Sequence, residues 1–198
     1  METGMTVVEA AATRQFWILC AAQLSVFFCL MTVMIHIVPH ATDRGVAAPV
    51  AATILSTIGG VSIAGRLTIG TLFDRLGGRR SLSICFIVLL TSFILLQVAE
   101  TTWMLFLFAA VYGFAHGGFF TVMSPTIAEF FGTGSHGVIF GIVLFSGTIG
   151  GATGPLLAGS LFDMNGSYAV MFMILTGFSV LGLLLAWALG PIDGKARQ

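Results

Sequence analysis

Gly70-Thr71-Leu72-Phe73-Asp74-Arg75-Leu76-Gly77-Gly78-Arg79-Arg80 separates two apolar runs, 48–72 and 81–99. It gathers three of the chain's eight basic residues around a pair of glycines, and a glycine permits a tight turn because it has no Cβ. A guanidinium cluster of this kind is stable in the headgroup region, where anionic lipid attracts it. Each flanking run reaches or nearly reaches the roughly 20 residues needed to cross the hydrocarbon core. The stretch therefore reads as a cytoplasmic turn between two membrane-spanning helices.

The same pattern of apolar run and polar break extends in both directions. Of 198 residues, 57% are apolar and only 8% are charged. Soluble domains carry roughly 25% charged residues, so a water-facing surface could not be built from this composition. Six runs result, at 16–39, 48–72, 81–99, 102–125, 137–162 and 168–190. They predict an all-α, polytopic bundle of six transmembrane helices filling residues 16–190. Residues 1–15 read as a cytoplasmic N-terminal segment without the pattern of a signal peptide, and 191–198 as a cytoplasmic tail. The expected loops are 39–45, 74–80, 100–102, 124–136 and 163–167, with Glu100, Glu129 and Asp163 read as loop charges.

Orientation follows from the basic residues. With the N-terminus inside, Arg14, Arg75, Arg79, Arg80, Lys195 and Arg197 are cytoplasmic and only Arg44 is outside. An even number of spans puts both termini in the cytoplasm. The expected location is integral, multi-pass, in the cell (inner) membrane. No basic tract points to nucleic acid. Cys20, Cys29 and Cys85 lie in apolar runs without metal-ligand spacing, so no metal, cofactor or disulfide is expected.

Polar residues inside the runs are the candidates for function. Arg66 stands well within 48–72, where even lenient scales put the cost of a charge at ~2.5–3.5 kcal/mol. Snorkelling is the bland alternative. Side chains lean toward their helix N-terminus, however, and in this orientation that directs Arg66 toward the midplane. Gly59, Ser62, Arg66 and Gly70 fall within an arc of roughly 80°. Such a stripe faces a tight helix contact or a water-filled cavity, and a guanidinium in a cavity suits a carboxylate. Ser25, Cys29, Thr32 and His36 share a face of the first run, and Tyr112 and His116 are one turn apart in the fourth. For His36 and His116 two readings stay open: a proton relay, or a neutral ring bonded to a neighbouring helix. Gly147, Gly150, Gly151 and Gly154 in the fifth run mark close helix packing, with Pro155 beside them inviting a kink.

Residues 70–80 resemble the signature loop of the major facilitator superfamily, G-x-L-x-D-R-x-G-R-R, departing from it at Gly78. The matched positions are Gly70, Asp74, Arg75, Gly77, Arg79 and Arg80. Thr13-Arg14-Gln15-Phe16-Trp17, Ala128-Glu129-Phe130-Phe131-Gly132 and Gly154-Pro155 with Gly159, Asp163 and Gly166-Ser167-Tyr168 are similar to segments of that family's C-terminal half. The nearest likeness is to the oxalate/formate antiporter and monocarboxylate transporter group. There an arginine eight residues before the signature aspartate, here Arg66, is implicated in holding a carboxylate.

The resemblance implies the C-terminal half of a secondary active transporter for a small organic anion, a monocarboxylate first. Protons are a possible second substrate, and Arg66, Ser62, Tyr112, His116, His36 and Thr32 are the expected contact residues. No Lys or Arg occurs in 137–162, where the oxalate/formate branch uses a lysine. The acidic partner one turn before the arginine, frequent in the monocarboxylate branch, is Ser62. The expected partners are the bilayer, the anion, and an N-terminal six-helix half or a second copy. The alternative is a non-transporting fragment or an accessory membrane subunit acting only through helix packing. An intramembrane protease built on Ser146 and His116 is disfavoured, because Leu144 stands where a glycine is needed, and no enzyme activity is expected.

Overall fold

The computed structural model describes residues 4–191. Lys195 and Arg197, and with them the expected tail 192–198, lie outside the described residues. The helices are α1 (Val7–Ala11), α2 (Arg14–Asp43), α3 (Ala48–Gln97), α4 (Thr102–Phe131), α5 (His136–Asn165) and α6 (Ala169–Ala188). Five of them, α2 to α6, are long and apolar enough to cross a membrane.

α3 runs for 50 residues, so the expected loop 74–80 is helical on both sides of one residue. That residue is Gly77, at φ 75° and ψ 175°. A left-handed φ is open to glycine and strained for other residues, so this single position breaks α3 into segments 48–76 and 78–97. The second segment begins with unpaired N–H groups. The Glu129 carboxylate accepts from the Gly78 N–H at 2.7 Å. Glu129 is thus no loop charge. It belongs to α4 and caps the helix start at the break, where the helix dipole favours an anion.

Other helices also outrun their apolar runs. α2 continues through Pro39 to Asp43. α4 continues through Pro125 to Phe131, which leaves 132–135 of the expected loop 124–136. A proline removes one N–H but does not prevent later residues from bonding back, so neither run ends at its proline. Glycines do end helices here: Gly132 (φ 78°) closes α4, and Gly166 (φ 63°) closes α5 with its N–H on the Phe162 carbonyl.

α3 packs chiefly on α4, and α2 chiefly on α5, while α6 covers α3 and α2. Lipid supplies no hydrophobic drive between helices, so close van der Waals contact has to hold them together. Glycine makes that contact possible. A Cβ on Gly65 would strike the Phe114 carbonyl, one on Gly117 the Ser62 carbonyl, and one on Gly113 would lie 2.6 Å from the Ile58 carbonyl. On the other pair, Gly147 lies against Gln23, Gly150 against the Leu24 backbone, Gly151 against Met31, and Gly154 against Thr32 and the Phe28 carbonyl. α6 closes on α3 where Gly182 accommodates the ring of Phe86.

Residues 4–13 lie against this bundle. The Met5 N–H donates to the Phe131 carbonyl at 2.8 Å, and Gly4 pairs with Gly132 as an isolated antiparallel bridge. Thr6 and Glu9 form a reciprocal capping box at the start of α1. The Thr6 N–H holds the Glu9 carboxyl below its ordinary pKa. Thr13 then caps α2 by accepting from the Phe16 N–H.

The glycine contacts predict opposite outcomes for two alanines. Gly117→Ala forces a methyl into the Ser62 backbone, and overpacking of this kind costs roughly 1–3 kcal/mol. Gly141→Ala adds a methyl with nothing within 4 Å and improves helix propensity. Thermal unfolding in detergent is expected to show a lowered midpoint for the first and an unchanged or raised midpoint for the second. Equal shifts would contradict the packing described.

Candidate functional site

Arg66 lies eleven residues before the break at Gly77, about 16 Å along the helix at a rise of 1.5 Å per residue. It is exposed on the bundle, and its guanidinium carbon stands 6.0 Å from the centroid of the Phe120 ring. Phe120 belongs to the middle of α4, which spans Thr102–Phe131, so Arg66 sits at mid-bundle depth. The backbone contacts at Gly65 and Gly117 hold α3 against α4 at this level. The face of the aromatic ring attracts the cation.

His116 is one turn before Phe120, with ring centroids 5.0 Å apart, and half-buried. Its Nδ1 is buried without a hydrogen-bond partner among the described residues. Phe27 of α2 reaches the same place, 5.8 Å from the Phe120 ring. Arg66, His116, Phe120 and Phe27 thus form a patch from three helices: a cation, an imidazole and two aromatic rings. Among the described residues, every acidic side chain stands near a helix end or outside the long helices, at positions 9, 43, 74, 100, 129 and 163. No carboxylate among the described residues therefore neutralises Arg66 at its own depth. The arrangement can bind an anion with an apolar body.

The six residues expected to share one contact surface are not brought together. Ser62 is buried under Gly117 and its hydroxyl donates to the Gly59 carbonyl at 2.7 Å. Tyr112 is fully buried and its hydroxyl crosses to α2, donating to the Leu30 carbonyl at 2.8 Å. Thr32 is buried against Gly154 and donates to the Phe28 carbonyl at 2.6 Å. Only the Tyr112 hydroxyl bonds across to another helix; those of Ser62 and Thr32 bond carbonyls of their own helices.

His36 is half-buried and joins three elements. Its Nε2 lies 3.0 Å from the Pro155 carbonyl and its Nδ1 lies 3.1 Å from the Tyr168 hydroxyl. A carbonyl only accepts, so Nε2 carries the proton, and in the neutral ring Nδ1 accepts from the tyrosine. Of the six, only Arg66 and His116 belong to the aromatic patch.

Sequence reading missed both aromatic members. Phe120 continues the spacing Tyr112–His116–Phe120, one turn per step, so a signal for it was present. Nothing local distinguishes Phe27 from the apolar residues around it. At the signature stretch, Asp74, Arg75 and Arg80 are exposed, and Gly70 approaches the Thr121 methyl. Arg79 donates to the Trp187 carbonyl of α6 at 2.7 Å. Ser146 donates to the Cys20 carbonyl at 2.9 Å, which ties α5 to α2. Cys20, Cys29 and Cys85 are free and buried.

Mouse monocarboxylate transporter 12 is 28% identical over 170 residues, 84% of this chain and 35% of that protein. Rat monocarboxylate transporter 13 is 31% identical over 150 residues, 75% of this chain and 35% of that protein. An uncharacterised MFS-type transporter of Bacillus subtilis, YcxA, is 28% identical over 97% of this chain and 50% of its own. The chain thus spans between about a third and half the length of these relatives.

In fold, the crystal structure of FucP, a Major Facilitator Superfamily transporter in the outward conformation, superposes with a TM-score of 0.76 at 16% identity. That match covers 95% of this chain and 46% of FucP. The Major Facilitator Superfamily model matches residues 16–198, nearly the whole chain, and the chain belongs to that family of integral, multi-pass membrane transporters.

Proposed function

We propose that the chain is the C-terminal six-helix half of a secondary active transporter that moves a small monocarboxylate by alternating access. The observation that carries this reading is Arg66: a cation at mid-bundle depth, exposed on the bundle beside Phe120 and His116, with no carboxylate at its depth among the described residues. A bidentate guanidinium matches one carboxylate, and the two aromatic rings suit the apolar remainder of a small organic acid. α5 offers Ser146, Thr148 and Thr153 and no second cation, which favours one carboxylate over two. The naming of two relatives as monocarboxylate transporters supports the same substrate class.

Six crossings follow from length. A straight α3 of 50 residues would measure about 75 Å, against ~30 Å of hydrocarbon, so it folds back at Gly77. With Arg14, Arg75, Arg79 and Arg80 at one end and only Arg44 at the other, the basic end is cytoplasmic and lies in the cell membrane. The patch is one wall of a cavity. An N-terminal six-helix half, or a second copy, supplies the other wall. His116 is the group through which a proton accompanies the anion.

Two measurements test this in the complete assembly. Arg66→Ala is expected to lower lactate uptake at least roughly tenfold, since removing one partner of a desolvated charge pair costs several kcal/mol. Arg66→Lys, which keeps the charge and loses the fork, is expected to fall between the two. Uptake unchanged in both variants would end the assignment. An inward pH gradient is expected to accelerate uptake, and His116→Ala to flatten that response. Uptake indifferent to the gradient in the unaltered protein would remove the proton from the mechanism.

A further inference from the structure

Far from the Arg66 patch, α3 and α6 meet at the basic end of the bundle around a cavity of about 440 Å³. Its lining is Leu76, Arg79, Arg80, Ser83, Ile84 and Trp187. Two adjacent guanidiniums at one mouth are an anion site in the making. Arg79 spends one N–H on the Trp187 carbonyl, which fixes its position and leaves its other donors available. Arg80 is exposed. Ser83 donates to the Arg79 carbonyl at 2.8 Å, so it braces the turn and does not supply a donor.

The apolar surroundings identify the kind of anion. From Arg80 the outer face of 78–97 continues through Ile84, Ile87, Thr91 and Ile94, at intervals of three and four residues; Ile84 is half-buried and the others are exposed. From Trp187 the adjoining face of α6 continues through exposed Leu184 and Val180. The Phe86–Gly182 contact holds the two helices close together between these strips. A cationic mouth with an indole beside it, opening onto two exposed apolar strips, matches an amphiphile with a negative head and a hydrocarbon tail. Trp at this level is suited to the membrane–water interface. A soluble phosphate would use only the mouth and leave the strips without a role.

We infer that the cleft between 78–97 and α6 binds an anionic phospholipid, its headgroup phosphate on Arg79 and Arg80 and an acyl chain along Ile84, Ile87 and Leu184. Basic pockets between transmembrane helices recognise lipid headgroups in this way. The site is separate from the transport patch and does not depend on which side of the membrane this end faces.

Native mass spectrometry of the full chain with phosphatidylglycerol or phosphatidylcholine of identical acyl chains tests it. Phosphatidylglycerol is expected to bind in preference to phosphatidylcholine. Arg80→Gln is expected to cut that preference roughly fivefold, and Arg79→Gln with Arg80→Gln more than tenfold, at about one surface-charge interaction per arginine. Arg80→Gln leaves the Arg79–Trp187 hydrogen bond intact, so its helical circular dichroism stays that of the unaltered chain. Arg14→Gln, at the same end but outside the cleft, is expected to change nothing. Equal binding of the two lipids, or an Arg14→Gln loss equal to that of Arg80→Gln, would overturn the inference. Displacement of the lipid by millimolar inorganic phosphate would assign the mouth to a soluble anion instead.

Discussion

A bilayer about 30 Å thick cannot hold a straight helix of 50 residues, and much of this structure follows from that mismatch. The chain resolves it at one residue. Gly77 turns the backbone into a region that side chains resist, and α3 becomes two antiparallel segments that each lie against α4. The break leaves N–H groups without helical partners at the point where the chain re-enters the bundle. Glu129 reaches from α4 to accept one of them. Turn, cap and packing partner are therefore a single unit, and Arg79 extends it to the end of α6.

The depth of Arg66 depends on the same pairing. Its own helix is held to α4 by contacts of backbone on backbone at Gly65, Gly113 and Gly117, which leave little freedom for sliding. The guanidinium is thus delivered beside Phe120 and His116 without a carboxylate at its depth among the described residues. A charge left unpaired at that depth is unfavourable for stability. Under the proposed function its partner is the ligand, which comes and goes.

Much of this was legible in the sequence, and the boundary of legibility is physical. Hydropathy is a local sum, so the lipid-crossing helices and the family likeness of 70–80 could be read directly. Arg66 also stood out, because a charge in an apolar run is a local contrast. Helix ends were less legible: Pro39 and Pro125 looked like stops, yet the helices continue through both. Ser62, Thr32 and Tyr112 were harder to place for a different reason. A polar stripe faces a cavity or a neighbouring helix, and only the neighbour's position decides which. Glu129 carried no mark of its role, because the N–H it caps lies 51 residues away in the chain. Phe27 enters the patch only through the crossing of α2 with α4.

The short stretch before α2 is a mechanical tie between the two main helix pairs. Residue 5 is bonded to the end of α4, and Thr13 caps the start of α2, so residues 4–13 tie together one member of each main helix pair. Phe16 and Phe131 meet edge to face just inside that tie. At the opposite end the turns 44–47, 98–101 and 166–168 join consecutive helices, and 44–47 links α2 to α3 through four residues, so the two pairs are joined there as well. The freedom left to the pairs is rotation about a line joining the two ties, like pages about a spine. Such a rotation displaces a residue in proportion to its distance from that line, whatever its depth in the bundle. The contact of Phe27 with Phe120, which crosses from one pair to the other, is the part of the patch that such a motion would strain.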